Sequence, residues 1–228
     1  MRLSPVADEQ PAITNSTYVS HVARTLWENL PGLLWSALFF NLACIPAFVL
    51  LFLGLVVPGL LVMAVTAGPA WAALQEYTIR MADWEATNSR IFFKAVIRHW
   101  RSSALLTLLT LFPWLALWTT LPLLQISPVP LVVWLGLGAD FLGIVVLSAL
   151  SLYTFPLLVR RNTPTRGTLR DGLILISRYP SNTTGLLALG ILFGFAIAYL
   201  SLGLLFFLPV IYSLFIATNS LLVFSQEA

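Results

Sequence analysis

The charged residues of this chain gather into short clusters, and between the clusters the sequence is almost continuously apolar. No Asp, Glu, Lys or Arg occurs between Glu28 and Glu76, none but Asp140 between Arg101 and Arg160, and none between Arg178 and Glu227. The gaps hold 47, 58 and 48 residues. About 20 apolar residues cross a hydrocarbon core of roughly 30 Å as a helix, so each gap has room for two crossings and not for three. Clusters of Gly and Pro place the turns. The first gap divides at Gly54 to Gly59, giving spans of about 33–53 and 58–78, and the second at Gln125-Ile-Ser-Pro-Val-Pro130, giving spans of about 103–124 and from the 130s to 158. The third divides near Ser201 and Gly203, and Pro209 leaves a kinked or re-entrant segment open there. The pattern predicts an all-α, polytopic membrane helix bundle of about six transmembrane helices in three hairpins.

Each hairpin has an amphipathic lead-in. Helical spacing from Arg90 to Arg101 puts Arg90, Lys94, Arg98 and Arg101 within an arc of about 80°, with Phe92, Phe93, Val96 and Trp100 roughly opposite. Thr87 or Asn88 is a suitable N-cap for that helix. Tyr18, Val22, Leu26 and Leu30 form a weaker stripe before the first span, and Leu169, Leu173 and Ile176 another before the fifth. Three lead-ins with three hairpins raise the question of an internal repeat, and Asn29-Leu-Pro-Gly-Leu-Leu34 aligns with Asn182-Thr-Thr-Gly-Leu-Leu187 at four positions. Residues 1–29 then form an N-terminal segment with an amphipathic helix, and 30–225 a single transmembrane domain with inner loops at about 80–102 and 159–182.

Composition and charge fit this reading. Of 228 residues 59% are hydrophobic and 9% charged, against about a quarter charged in an ordinary soluble domain. The net charge of +3 does not point to nucleic acid, because the basic residues flank apolar segments, where they act as topology signals or contacts with anionic lipid. Two of the twelve Lys and Arg precede the first span, five lie between the second and third, and five between the fourth and fifth. The positive-inside rule then puts both termini in the cytoplasm. A polar start and a long first apolar run argue for an uncleaved anchor rather than a signal peptide, and Cys44 alone excludes an intrachain disulfide.

Candidate chemistry is sparse. The sequence has no metal-ligand pair, nucleophile elbow, P-loop or dinucleotide fingerprint, so no catalytic, metal or cofactor site is expected. His21 and His99 read as solvated interfacial side chains. An intramembrane acid is a functional hypothesis by default, which singles out Asp140. Yet twenty residues back from Val159 reach Asp140 itself, which would make it an interfacial N-cap with residues 129–138 at the outer surface. Glu76 precedes Arg80 by one helical turn and reads as its ion-pair partner. Asn41 and Asn219, within spans one and six, are candidates for interhelical hydrogen bonds. Gly190-Ile-Leu-Phe-Gly194 suggests a close helix contact, and the Trp residues read mainly as interfacial anchors.

Several segments resemble the YesL-like bacterial membrane family: Asn41-Leu-Ala-Cys-Ile-Pro46, Thr66-Ala-Gly-Pro-Ala70 with Ala73-Leu74, Arg90-Ile-Phe-Phe-Lys-Ala-Val-Ile-Arg-His-Trp-Arg101, and Tyr153-Thr-Phe-Pro-Leu-Leu158. Some twenty residues separate Pro46 from Thr66, where that family has only a few. The resemblance implies a multi-pass protein of the bacterial inner membrane, with relatives often encoded beside carbohydrate ABC transporters, and it supplies no catalytic residues. The sequence reading that follows is a non-enzymatic accessory or scaffold subunit of a membrane complex, motivated by the near absence of polar groups inside the spans. A transporter or permease-like subunit for carbohydrate or small-solute uptake is the alternative. The expected partners are the bilayer, anionic lipid at its inner face through Arg90, Lys94, Arg98 and Arg101, and other membrane proteins.

Overall fold

A computed structural model describes residues 17–85, 87–125, 129–161 and 165–225. Among them every regular element is helical: α1 (Tyr18–Glu28), α2 (Leu30–Phe52), α3 (Val56–Ala82), α4 (Ser89–Thr120), α5 (Leu131–Arg161), α6 (Thr165–Arg178), α7 (Pro180–Tyr199) and α8 (Leu208–Ser225), with short 3-10 turns at Leu121–Gln125 and Leu202–Phe206. The all-α bundle expected from the charge gaps is the fold. Helices α2, α3, α4, α5 and α7 are long and apolar enough to cross a membrane, and α8 adds a shorter apolar helix. The chain is a multi-pass membrane protein. Arg80, Arg98 and Arg160 mark its basic end, and the hairpin turns mark the opposite, turn end.

The lead-ins are continuous with the helices that follow them. Residues 88–101, expected as a separate surface helix, are Asn88 and the first turns of α4, with the Asn88 side chain accepting a hydrogen bond from the Arg90 amide. Of the residues opposite the basic arc, Phe92 is buried in the core, while Phe93 and Trp100 are exposed, as is Ile97. The other two lead-ins break for one residue, at Asn29 and Tyr179. Pro31 and Pro180 follow there, and proline lacks the N–H that helix continuation uses. Even so, Asn29 N bonds Thr25 O, Leu33 N bonds Asn29 O, Tyr179 N bonds Leu175 O and Thr183 N bonds Tyr179 O. The helical ladder therefore crosses both breaks, and each unit owns one long outer rod, over residues 18–52, 89–120 and 165–199.

Burial along the three rods follows one pattern. Four equivalent positions are buried in every rod: Val22, Thr25, Leu33 and Ser36 in the first, Phe92, Ala95, Ser103 and Leu106 in the second, and Gly172, Leu175, Thr183 and Leu186 in the third. Every step from first to second rod is 70 residues, and from first to third 150. The Asn29–Leu34 alignment on Asn182–Leu187 implies a step of 153 and is three residues out of register. Three residues turn a helix by about 300°, so those identities do not occupy equivalent places.

The second helix of each hairpin lies inside, where α3, α5 and α8 touch one another. Their buried runs, Ala72–Ile79, Leu152–Leu158 and Ile216–Val223, each follow one half-buried residue: Trp71, Ser151 or Phe215. Each lead-in packs on the inner helix of the unit before it: α4 on α3, α6 on α5, and α1 on α8, which closes the ring. One apolar cluster fills each junction. Phe92 and Ala95 meet Ala73 and Tyr77, Leu175 meets Tyr153 and Leu157, and Val22 meets Ala217 and Leu221. In lipid, association depends on close van der Waals packing, and small residues permit it. Ala64, Ala67, Gly68, Ala70, Ala72 and Ala73 give α3 such a surface, and a side chain at Gly68 would collide with Thr107 of α4. Gly190 serves α7 likewise against the Tyr212 ring, whereas Gly194 faces open space within 4 Å.

The hairpins differ in height. Equivalent positions are 37 residues apart in the first hairpin (Leu33 to Ala70), 47 in the second (Ser103 to Leu150) and 31 in the third (Thr183 to Leu214). Ten extra residues over two arms raise the second hairpin about 7 Å above the first.

Candidate functional site

At the basic end, between α3, α4 and α5, lies a cavity of about 400 Å³ lined by Glu76, Arg80, Asp83, Glu85, Arg98, His99 and Arg160 among others. Glu76 is its deepest charge, 4% exposed, and His99 beside it is 2% exposed. Glu76 Oε1 accepts from Arg80 Nη2 at 2.9 Å and Arg98 Nη1 at 3.3 Å, and Oε2 lies 3.2 Å from His99 Nε2. Arg80 also reaches Glu85 at 3.1 Å, and the Arg160 guanidinium lies 5.2 Å from the centre of the Phe224 ring. The helix period creates the site: Glu76 and Arg80 are one turn apart on α3, and the residues Arg98 and His99 straddle the edge where α4 meets it. A carboxylate this deep would be costly alone, and three donors from two helices offset its desolvation.

This corrects the reading of His99 as a solvated side chain. Its burial follows from the continuity of α4, because His99 continues the Phe92–Ala95 face onto α3. Glu76 does pair with Arg80, as its spacing predicts, but the second and third partners come from another helix and have no signature in the spacing. All four basic residues of the stripe are exposed, and Arg98 alone of them reaches Glu76. Next to Glu76, Gln75 is wholly buried with no hydrogen-bond partner for either amide atom among the described residues.

A second cavity, of about 330 Å³, lies farther toward the turn end and is lined by residues of α2, α3, α4, α5 and the start of α8. Ala72, Leu106, Phe155 and Leu158 form the apolar cluster between the levels of the two cavities. Trp71 at the upper cavity and Glu76 at the lower are five residues apart on α3, about 7.5 Å of helical rise.

The candidate intramembrane polar residues fall in different places. Asn41 lines the upper cavity and donates from Nδ2 to Ala37 O at 2.8 Å in its own helix and to Phe206 O at 3.3 Å across the bundle. Asn219 Oδ1 accepts from Asn182 Nδ2 at 3.1 Å, linking α8 to α7. Asp140 is half-buried and accepts from the Thr120 hydroxyl at 2.9 Å. It is no N-cap, because α5 begins at Leu131 and residues 131–138 already belong to that helix. Its 20 residues from Arg160 still correspond to about 30 Å of helix, one hydrocarbon thickness. His21 lies 3.1 Å from Ala82 O through Nε2, and the Tyr18 hydroxyl donates to Phe215 O at 2.8 Å. Burial pushes that phenol's pKa up.

Among the described residues no group of three or more His, Cys, Asp or Glu is placed to hold a metal ion. Cys44 is buried at the upper cavity. No family model matches the chain, and neither a curated protein nor a solved structure is significantly similar to it. Fold and site together define a multi-pass helical membrane protein with a buried acid–histidine pair at its basic end.

Proposed function

We propose that the protein is a non-enzymatic accessory subunit of a membrane complex in the bacterial inner membrane, with its basic end and both termini cytoplasmic. The carrying observation is the tall second hairpin. From Arg160 to Leu131 is 29 residues, about 41 Å along the membrane normal at an ordinary tilt of about 20°, roughly 10 Å beyond the hydrocarbon. That projecting end exposes Leu131, Val132, Trp134 and Leu135, a surface suited to a neighbouring membrane protein. The YesL-like motifs support the bacterial setting, and the basic partition supports the orientation. Affinity purification of the tagged chain should recover a stoichiometric membrane partner, lost when Leu131, Trp134 and Leu135 become Ser. Recovery of the chain alone from its native membrane at every detergent strength would overturn the proposal. Labelling of a cysteine at position 127, which lies outside the described residues, should occur from outside the cell. The reverse sidedness would overturn the orientation.

One observation favours a permease-like reading. Two cavities lie at different levels of the bundle, an apolar cluster that includes Phe155 of the upper wall stands beside them, and the lower one holds a buried acid. Polar groups are thus more concentrated in the bundle than the spans suggest one at a time: Gln75, Glu76, Thr78, His99, Thr154, Ser213 and Asn219 are all buried. Solute uptake by the purified chain in liposomes would establish this reading over the first, and a sealed bilayer would reject it.

A further inference from the structure

The upper cavity is polar in a way that the fold does not require, and the repeat shows it. Thr107, Thr110 and Ser151 line the cavity from the second unit. By the same steps that align the rods and inner helices, those positions hold Ala37, Phe40 and Trp71 in the first unit and Leu187, Gly190 and Phe215 in the third. Asn41 corresponds to Leu111 and Ile191. Two units thus build the same helices with nonpolar or aromatic residues where the cavity has hydroxyl and amide groups. Back-bonding of a hydroxyl to its own helix explains how Ser and Thr are tolerated there. It does not explain why they converge on one cavity.

The hydrogen-bond inventory narrows what the cavity accepts. Thr107 donates to Ser103 O at 2.8 Å, Thr110 to Thr107 O at 2.9 Å, and Ser151 to Ser148 O at 2.7 Å. Both amide protons of Asn41 are engaged, on Ala37 O and Phe206 O. What these four side chains offer a ligand is therefore lone pairs: three hydroxyl oxygens and Asn41 Oδ1. Trp71 lines the same cavity with an indole N–H that bonds to none of the described residues, and Phe40, Phe48 and Phe155 supply aromatic walls. Among the described residues no Asp, Glu, Lys or Arg lines it, so an ion there would lack a counter-charge. A group that only accepts would leave the acceptors unmet.

We propose that this cavity binds a small neutral aromatic molecule bearing a hydroxyl, a phenol or aryl alcohol. The hydroxyl donates its single proton to one of the acceptors that Asn41, Thr107, Thr110 and Ser151 present, its oxygen can take the Trp71 N–H, and the ring packs on Phe40, Phe48 and Phe155. The volume of about 330 Å³ is at the small end of ligand pockets, which run from about 300 to 1,000 Å³. The inference needs binding only and rests on neither functional reading above, so a complex without flux, or flux without a partner, leaves it standing.

The test uses the full chain in nanodiscs of neutral phosphatidylcholine, a diazirine-bearing phenol as photolabel, and mass-spectrometric mapping. Adducts should saturate and fall on the cavity walls of α2, α3 and α5. An alkylphenol should compete about fivefold better than its methyl ether, the effect of one net hydrogen bond of about 1 kcal/mol. Ser151→Ala together with Thr107→Ala should lower that preference, and Asn41→Leu should lower it further. Because Asn41 also ties down Phe206, the Ser/Thr variant keeps the test valid if Asn41→Leu fails to fold. Alkylation of Cys44, the chain's single cysteine, should slow at about fivefold lower phenol than ether concentration. Equal competition by phenol and ether would overturn the proposal, as would unsaturable labelling spread over lipid-facing Phe52, Phe112 and Phe141.

Discussion

The junction of α3 with α4 and that of α5 with α6 are built on one plan and finished differently. In both, a lead-in helix lies on the inner helix of the preceding unit, and aromatic and aliphatic side chains fill the contact. At the first, Glu76 faces His99; the equivalent residues at the second are Pro156 and Tyr179, and at the α8–α1 junction Ser220 and Asn29. Two junctions therefore close without a charged residue at these positions. A buried ion pair is weak evidence for stability, because well-packed apolar residues often do as well or better. The repeat makes that general rule specific: the fold does not need a charge at Glu76, so its presence calls for another explanation, and the cavity beside it is the place to look.

The sharpest way to break this comparison is to convert one junction toward the other. Glu76→Ala alone should destabilise the protein by about 2–3 kcal/mol, measured by unfolding in mixed micelles, because it leaves the buried His99 without its hydrogen-bond acceptor. The double variant Glu76→Leu with His99→Leu should recover most of that loss. If the double variant is as unstable as the single one, the pair is structural and the comparison fails. Gly172 offers the next largest effect. It occupies the position of Phe92, yet a Cβ there would lie 2.9 Å from Thr154 Cγ2 and 3.1 Å from Leu150 Cδ1. Gly172→Val should cost about 1–3 kcal/mol through overpacking, although the first unit holds Val22 at the same place. A neutral Gly172→Val would show that the junctions are interchangeable in volume as well as in plan.

A smaller effect should separate Arg98 from its neighbours. Replacing Arg90, Lys94 and Arg101 by Gln should weaken binding to anionic vesicles several-fold, whereas Arg98→Gln should change it less, since Arg98 is already engaged by Glu76. Equal losses at all four positions would place Arg98 in the lipid-facing stripe. The smallest effect belongs to the helix breaks: Pro31→Ala should shift stability by under about 1 kcal/mol, because the backbone bonds on either side of Asn29 already continue the helix.

The sequence by itself determined the helices, their pairing into hairpins and the basic end, because charge is excluded from hydrocarbon and its absence can be counted along the chain. It also placed Glu76 one turn from Arg80, since that contact lies within one helix and follows from its period. The ring of three units was only hinted at. The one motif that suggested a repeat was three residues out of register, since equivalence here lies in which face is buried and apolar residues substitute freely on such a face. Tertiary structure alone decided that His99 meets Glu76, that Asp140 pairs with Thr120 inside a longer helix, and that Thr107, Thr110, Ser151 and Asn41 share a cavity. Each of those contacts joins helices whose relative rotation and height are set by packing small residues such as Gly68 and Gly190, and no spacing within a single helix records that choice.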